Sequence, residues 1–283
     1  MQTKVDENKL LKLKLHAANI RKMILTAVYS ASSGHPGGSL SATDILTYLY
    51  MEKLNINPNF LKDPDRDRFV LSKGHCSPAL YAALAERGII DKNLISSFRQ
   101  LNSPLQGHPD MKSLKAVDMS SGSLGQGLGA ACGMALCGKI DKKSYRTYVM
   151  MGDGESEEGE IWESAMFAAH YKLDNLTVFL DYNGLQIDGP VTKVMNPTPL
   201  DKKFAAFNWH VISINAHDFN EIEAAVCESE TVKEKPTLIL AKSVKGKGVS
   251  FMENQVGWHG KAPNKEQYEL AISEINGYIK NLK

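Results

Sequence analysis

The chain has 283 residues, 43% of them hydrophobic and 23% charged, with a formal net charge of +1, an ordinary globular profile. That balance argues against a nucleic-acid arm or an acidic tail, and no apolar run reaches the ~18 residues of a membrane span, so neither nucleic acid nor membrane is expected as a partner. The four cysteines, Cys76, Cys132, Cys137 and Cys227, form no C-x-x-C pair and read as reduced thiols of a cytoplasmic protein.

The N-terminus carries charges throughout and reads as a mature amphipathic helix rather than a signal peptide. Leu10, Leu13, Ala17, Ile20, Ile24 and Val28 set a helical period over 8–31. "SSGHPGGSLS" breaks it, with Ser39 or Ser41 as candidate cap of a helix over 41–52. "DRFVLSKGH" reads as a short buried strand ending in a glycine turn. In "SPALYAALAERG" Ser77 is a candidate N-cap, Pro78 the first helical residue and Gly88 the C-cap. Residues 102–122 read as an irregular loop, and "SLGQGLGAACGMALCG" as a helix of small residues. Strands are expected at 145–151, 176–181, 209–214 and 236–242. Helices are expected near 157–172 and 200–207, from 218 onward, and in the tail. Loops are expected at 183–199 and across "KGKGVSFMENQVGWHGKAP".

Alternating strands and helices predict one α/β domain over 1–283, with a mostly parallel sheet and helices on both faces. Ligands of such sheets bind beyond the C-terminal ends of the strands. Two strands end there on chemistry-bearing turns, "MMGDG" at Asp153 and "LDYNG" at Asn183. One helix connects them, so they read as neighbours, about 4.8 Å apart if directly paired. A carboxylate, an amide oxygen and a nearby main-chain carbonyl are hard ligands. Few protein oxygens, with phosphates and water supplying the rest, is how Mg²⁺ is usually held. Gly154 allows close backbone approach, and a helix start offers N–H groups to an anion. Glu155, Glu157, Glu158 and Glu160 would repel a bare phosphate, so a bridging cation is expected.

Two lookalikes fail. "GDGESEEG" has Glu157 where a dinucleotide fingerprint needs its third glycine. "GMALCGKI" has Ile140 where a phosphate loop needs Ser or Thr. His35, His75, His108 and His259 all sit in glycine or proline turns, which favours one shared polar site able to move protons or donate to hydroxyls. His16, His170, His210 and His217 lie in or beside regular elements and read as structural. No nucleophile elbow accompanies Ser72 or Ser77.

Gly152-Asp153-Gly154 followed by Asn183-Gly184 resembles the thiamine diphosphate signature. "SGHPGGSLS", "LSKGHCSPALYA", "LQGHPD", "SGSLGQGLG" and "GWHGKAP", in that order, resemble the N-terminal diphosphate-binding domain of transketolase over roughly residues 10–265. The resemblance implies Mg²⁺, with Ca²⁺ or Mn²⁺ able to substitute, on Asp153, Asn183 and the main-chain oxygen of Leu185. It implies thiamine diphosphate contacts at His75 and Gly154, with Gly122, Ser123 and Leu124 running along the cofactor. His35, His259 and His108 match histidines that contact sugar hydroxyls, and Glu158 a glutamate in a carboxylate network between subunits. The family moves a two-carbon ketol unit from a ketose phosphate to an aldose phosphate, with the cofactor as electron sink.

The family's pyrimidine-binding domain, with its cofactor-activating glutamate, has no counterpart here, and neither do its sugar-phosphate arginines. The resemblance therefore implies one subunit of a split transketolase, needing a C-terminal partner subunit, in a heterotetramer of two chains of each kind. Ser123 stands where Pro is frequent and Val256 where some members carry a further His, which leaves the donor sugar open. A deoxyxylulose-phosphate synthase-like half, a subunit for a branched or sulfonated sugar, and a non-catalytic cofactor-binding subunit are the alternatives.

Overall fold

The computed structural model describes residues 5–57, 61 and 63–282, so the first four residues of the N-terminal stretch lie outside it. Five strands form one parallel sheet: β1 (Arg68–Leu71), β2 (Thr147–Gly152), β3 (Leu176–Tyr182), β6 (His210–Asn215) and β7 (Thr237–Lys242), in the order β1-β2-β3-β7-β6. Each central strand is an almost unbroken apolar run because both faces are covered. Alternation then sends successive side chains to opposite cores. Val70, Val149, Val178 and Leu238 stand in register on one face, and Met150, Phe179 and Ile239 on the other.

The Phe179 face is covered by α1 (Glu7–Ser30), α3 (Thr43–Tyr48), α4 (Ser77–Glu86), α9 (Phe219–Thr231) and α10 (Lys265–Leu282). The Val178 face is covered by α5 (Gln126–Ile140), α6 (Gly159–His170) and α8 (Leu200–Ala206). Among the described residues no helix is long and apolar enough to cross a membrane.

Three boundaries depart from the sequence reading. Helix α2 (Pro36–Ser41) starts inside "SGHPGG", ahead of the expected cap. Ser39 and Ser41 are therefore helical, and their hydroxyls donate back to the carbonyls of His35 and Gly38, a common fate for helical serine. Ser77 is the first residue of α4, with Cys76 at the cap, and its hydroxyl donates to Gly107 O. The loop expected at 183–199 holds a two-residue hairpin, β4 (Leu185–Gln186) and β5 (Gly189–Pro190), and one helical turn, α7 (Val191–Val194).

Candidate functional site

All five strands point their C-terminal ends at one edge, and four of the turns that follow meet there. Ser72 and Lys73 leave β1 with their N–H groups still bonded to Met150 O, and a 3-10 turn (Gly74–Cys76) then carries His75. Gly152, opposite Asp181 in the ladder, delivers Asp153. Tyr182 delivers Asn183, and β7 delivers Ser243 to Lys245. A cavity of about 220 Å³ lies between them, lined by His75, Asp153, Asn183, Leu185, Lys245 and His259 among others.

Asp153 is 2% exposed. Its Oδ1 accepts from Gly154 N–H at 2.8 Å and its Oδ2 from Gly184 N–H at 2.5 Å, so one carboxylate joins the two turns. Burial, then the nearby Asp181 charge, push its carboxyl up to about 6. Asn183 donates through Nδ2 to Asp181 and accepts at Oδ1 from Leu185 N–H. Leu185 O accepts from Lys245 Nζ at 2.8 Å. Among the described residues no three His, Cys, Asp or Glu side chains gather as a metal cluster. One carboxylate, one amide oxygen and one carbonyl on neighbouring turns suit a cation that takes its remaining oxygens from phosphates and water. The raised Asp153 carboxyl, a buried charge short of a cation, fits that group as well.

Behind this layer sits a buried ion pair. Lys73 Nζ donates to Asp181 Oδ2 and to Gly38 O. Ser41 and Ser243 donate to the same carboxylate. Burial alone would raise Asp181, but the Lys73 ammonium outweighs it and holds the carboxyl below its ordinary range. Glu155 is also buried, in the wall of the cavity. It accepts from Ser72 Oγ, Gly125 N–H and Gly152 N–H, so it locks the β1, β2 and α5 junctions instead of repelling a phosphate in the cavity. The expected helix start after Gly154 is a 3-10 turn, with α6 beginning only at Gly159, and Gly154 N–H is already spent on Asp153.

The glycine-flanked histidines do converge. The His35 ring centroid lies 5.2 Å from that of His75, 5.5 Å from His259 and 6.5 Å from His108, and His75 and His259 stack at 5.2 Å. Burial, then the His75 ring, lower His35 to about 4; burial, then Lys73, lower His75 to about 4. Burial, then Lys245, lower His259 to about 2. Burial, then Arg99, lower His108. All four rings are neutral at pH 7, so each offers one N–H and one lone pair. His35 Nδ1 is buried with no partner among the described residues, an atom left for a ligand.

Glycine permits this crowding. Gly122 has φ +152°, and a Cβ there would stand 3.2 Å from the His108 ring; a Cβ on Gly74 would stand 2.7 Å from Gly122 N. Leu124 and Glu158 line the cavity, while Ser123 is exposed. His16 and His210 pair with Glu86 and Glu228, and His217 bridges Asp44 and Val244 N–H, all structural roles. Cys76 is fully buried, and burial pushes its thiol up.

Lys73, Asp181 and Lys245 also belong to this edge, though none is singled out as a site residue in the sequence. Each lies at or just past the end of a strand, and that position was the available signal. Lys245 donates to Leu185 O and meets His259 Nδ1 at 2.7 Å, and burial lowers its ammonium to about 8.

A family model described as "Transketolase, thiamine diphosphate binding domain" matches residues 13–278. The chain is 40% identical to an apulose-4-phosphate transketolase subunit from Phocaeicola vulgatus, covering 96% of each. It is 45% identical to the 6-deoxy-6-sulfo-D-fructose transketolase subunit SqwG of a Clostridium species, covering 92% of this chain and 95% of that one. Human transketolase is 41% identical over 99% of this chain but only 44% of its own length. The crystal structure of transketolase from Campylobacter jejuni superposes with a TM-score of 0.88 at 33% identity, covering 93% of this chain and 42% of that one. The chain thus spans less than half of these longer transketolases and nearly all of the two subunits.

Proposed function

Because the chain belongs to the transketolase family as its thiamine diphosphate-binding domain, we propose that it is one subunit of a two-polypeptide enzyme transferring a two-carbon ketol unit from a ketose to an aldose. One observation carries this reading: His75 and His259 share a cavity with Asp153 and Asn183 at the sheet edge, and His35 packs against both rings. When bound, thiamine diphosphate supplies the carbon nucleophile and the electron sink.

The chain's own residues bind, orient and manage protons. Asp153, Asn183 Oδ1 and Leu185 O hold Mg²⁺, for which Ca²⁺ or Mn²⁺ substitutes. Lys245 and His75 face the diphosphate, beside Gly154. Gly122, Ser123 and Leu124 form the wall along the cofactor, close to His108 and Gly74. His35, His108 and His259 meet the sugar hydroxyls as neutral imidazoles; His35 and His108 can accept a hydroxyl proton on one nitrogen while donating from the other, and His259, whose Nδ1 accepts from Lys245, donates from Nε2.

The names of the two subunit-length relatives support a C-terminal partner subunit carrying the pyrimidine-binding domain. Exposed apolar side chains on α6, among them Met166 and Phe167, support a contact surface and a heterotetramer of two chains of each kind. Glu158, exposed at the start of α6, belongs to the same surface. The four cysteines are free, which supports a cytoplasmic place. The sugars in the relatives' names carry a phosphate or a sulfo group, which supports an anionic sugar, whether a pentose phosphate or a less usual one.

The test mixes the chain with the product of its neighbouring gene, thiamine diphosphate and Mg²⁺, and follows ketol transfer across phosphorylated and sulfonated ketoses. Turnover only in the mixture, lost in His35→Ala, is the expected result. Turnover with pyruvate and an aldehyde instead would favour a deoxyxylulose-phosphate synthase-like half, and turnover that survives His35→Ala would favour a non-catalytic role for this chain.

A further inference from the structure

Arg99 stands between two of the histidine turns and has no counter-ion among the described residues. Its backbone has φ +59°, a left-handed conformation that is costly for a residue with a side chain and that concentrates at functional sites. Its N–H donates to Leu105 O at 2.9 Å. Its Nη1 donates to Ser33 Oγ at 2.8 Å, two residues before His35. Its guanidinium lies on the backbone of Gly107, immediately before His108. A Cβ on Gly107 would come within 2.9 Å of Nε and 3.1 Å of Nη2, so glycine is what admits the guanidinium there. Its Cζ stands 5.4 Å from the ring centroid of the buried Phe98.

Among the described residues no carboxylate pairs with Arg99, and its Nε is buried without a partner. The paired arginines Arg21 and Arg66 instead spend their forks on Asp44 and Asp118. A partly desolvated guanidinium without a counter-ion is weakly screened, and its field reaches its neighbours. Those neighbours are His35 and His108: the Arg99 charge is among the causes that lower both. The other groups acting on His35 are His75, His108 and Lys245, with the His259 ring packed against it; on His108 the other is His75. Arg99 is not among the largest causes acting on His75 or His259.

We propose that Arg99 is a positioning residue for His35 and His108, clamping their two turns together and supplying, as an unpaired cation, the positive potential in which both rings work. The inference rests on the proposed ketol transfer only in taking these rings to meet the sugar.

Histidine ring proton titrations by NMR on the full chain separate the inference from that reading. In Arg99→Gln the midpoints of His35 and His108 rise, while those of the surface residues His16 and His210 stay in place. In Arg99→Lys both midpoints stay low. Unmoved midpoints of His35 and His108 in Arg99→Gln overturn the electrostatic role. In the complex with the partner subunit, Ser33→Ala, which removes only the Nη1 anchor, raises the KM for the ketose more than it lowers kcat, with unshifted midpoints. An unchanged KM overturns the clamp. If Arg99→Gln does not fold, Arg99→Met in a stabilised background or Gly107→Ala, which displaces the guanidinium, carries the same titration. A complex inactive toward every sugar would sink the ketol-transfer reading, and the titrations would still decide the role of Arg99.

Discussion

Lys73 Nζ lies 2.5 Å from Asp181 Oδ2, and the two side chains are 2% and 0% exposed. With Ser41, Ser243 and Asn183 also donating to Asp181, one carboxylate ties α2, β1, β3 and the turn after β7 into a single wall of the crevice. Removing one partner of such a pair strands a buried charge, which typically costs about 3–5 kcal/mol. Asp181→Ala is expected to lose stability on that scale in denaturant titrations, and Lys73→Met with Asp181→Leu to recover much of it. A cost below about 1 kcal/mol for Asp181→Ala would mean that the wall does not depend on the pair.

Asp153, at the proposed metal site, is a carboxylate that the apoprotein holds at a cost. Its pKa is raised from 3.8 to about 6, so its contribution favours the fold when protonated and is lost as pH rises through about 6. A rise of that size corresponds to roughly 3 kcal/mol against the charged form. The one hydrogen bond that an amide cannot accept there costs about 1 kcal/mol. Asp153→Asn is therefore expected to raise the apoprotein Tm at pH 7.5 by a few degrees, with the gain shrinking as pH falls through 6 and gone by about pH 4.5. The same variant should show no Mg²⁺-dependent stabilisation by cofactor. A lower Tm at pH 7.5 would refute the assignment of cost to this carboxylate.

The histidines set the acid limb of stability. In the unfolded chain each titrates near 6.5, whereas His35 and His75 sit at about 4 and His259 at about 2 in the fold. Between those limits the unfolded chain binds protons that the folded one refuses, so stability is fully present above about 6.5 and falls as pH drops toward 4. The carboxyls of Asp153, Glu155 and Asp67, raised by burial, work in the opposite direction. Thermal unfolding of the apoprotein at a series of pH values should show Tm falling below pH 6.5, with a shallower fall in His75→Gln. A Tm that is flat or rising from pH 6.5 to 5 would overturn this account.

Gly122→Ala tests the packing of the proposed cofactor wall. Its φ of +152° disfavours any side chain, and the new Cβ would stand 3.2 Å from the His108 ring. The expected result is a loss of about 1–3 kcal/mol from backbone strain, together with weaker cofactor binding. Wild-type cofactor affinity in a variant that is destabilised would show that this stretch does not form the wall.

The sheet was readable from the sequence because each strand is an apolar run bounded by turn residues, and all five lie within about two residues of their expected places. Asp153 and Asn183 were readable because one helix links their strands and parallel pairing then brings their turns together. Helix α2 was misplaced because "HPGG" carries glycines that normally break helices; here close packing uses them, with a Cβ on Gly38 landing 2.8 Å from Cys76 Sγ. Glu155 reads among carboxylates that would repel a bare phosphate, since nothing in "GDGESEEG" shows that its carboxylate folds back onto Ser72 and Gly125. The Lys73–Asp181 pair joins residues 108 apart in sequence, and only the sheet order makes them neighbours. Arg99 was hidden in a loop whose left-handed backbone no composition rule foretells.

The most direct test of the metal–diphosphate site is calorimetric titration of thiamine diphosphate into this chain together with its partner subunit, with Mg²⁺ and with the metal chelated. Saturable binding that needs Mg²⁺, and that disappears in Asp153→Asn while Asp188→Asn on the nearby hairpin binds normally, is the predicted result. Cofactor binding of equal strength without Mg²⁺, or unaffected by Asp153→Asn, would contradict the assignment of Asp153, Asn183 and Leu185 as the metal ligands.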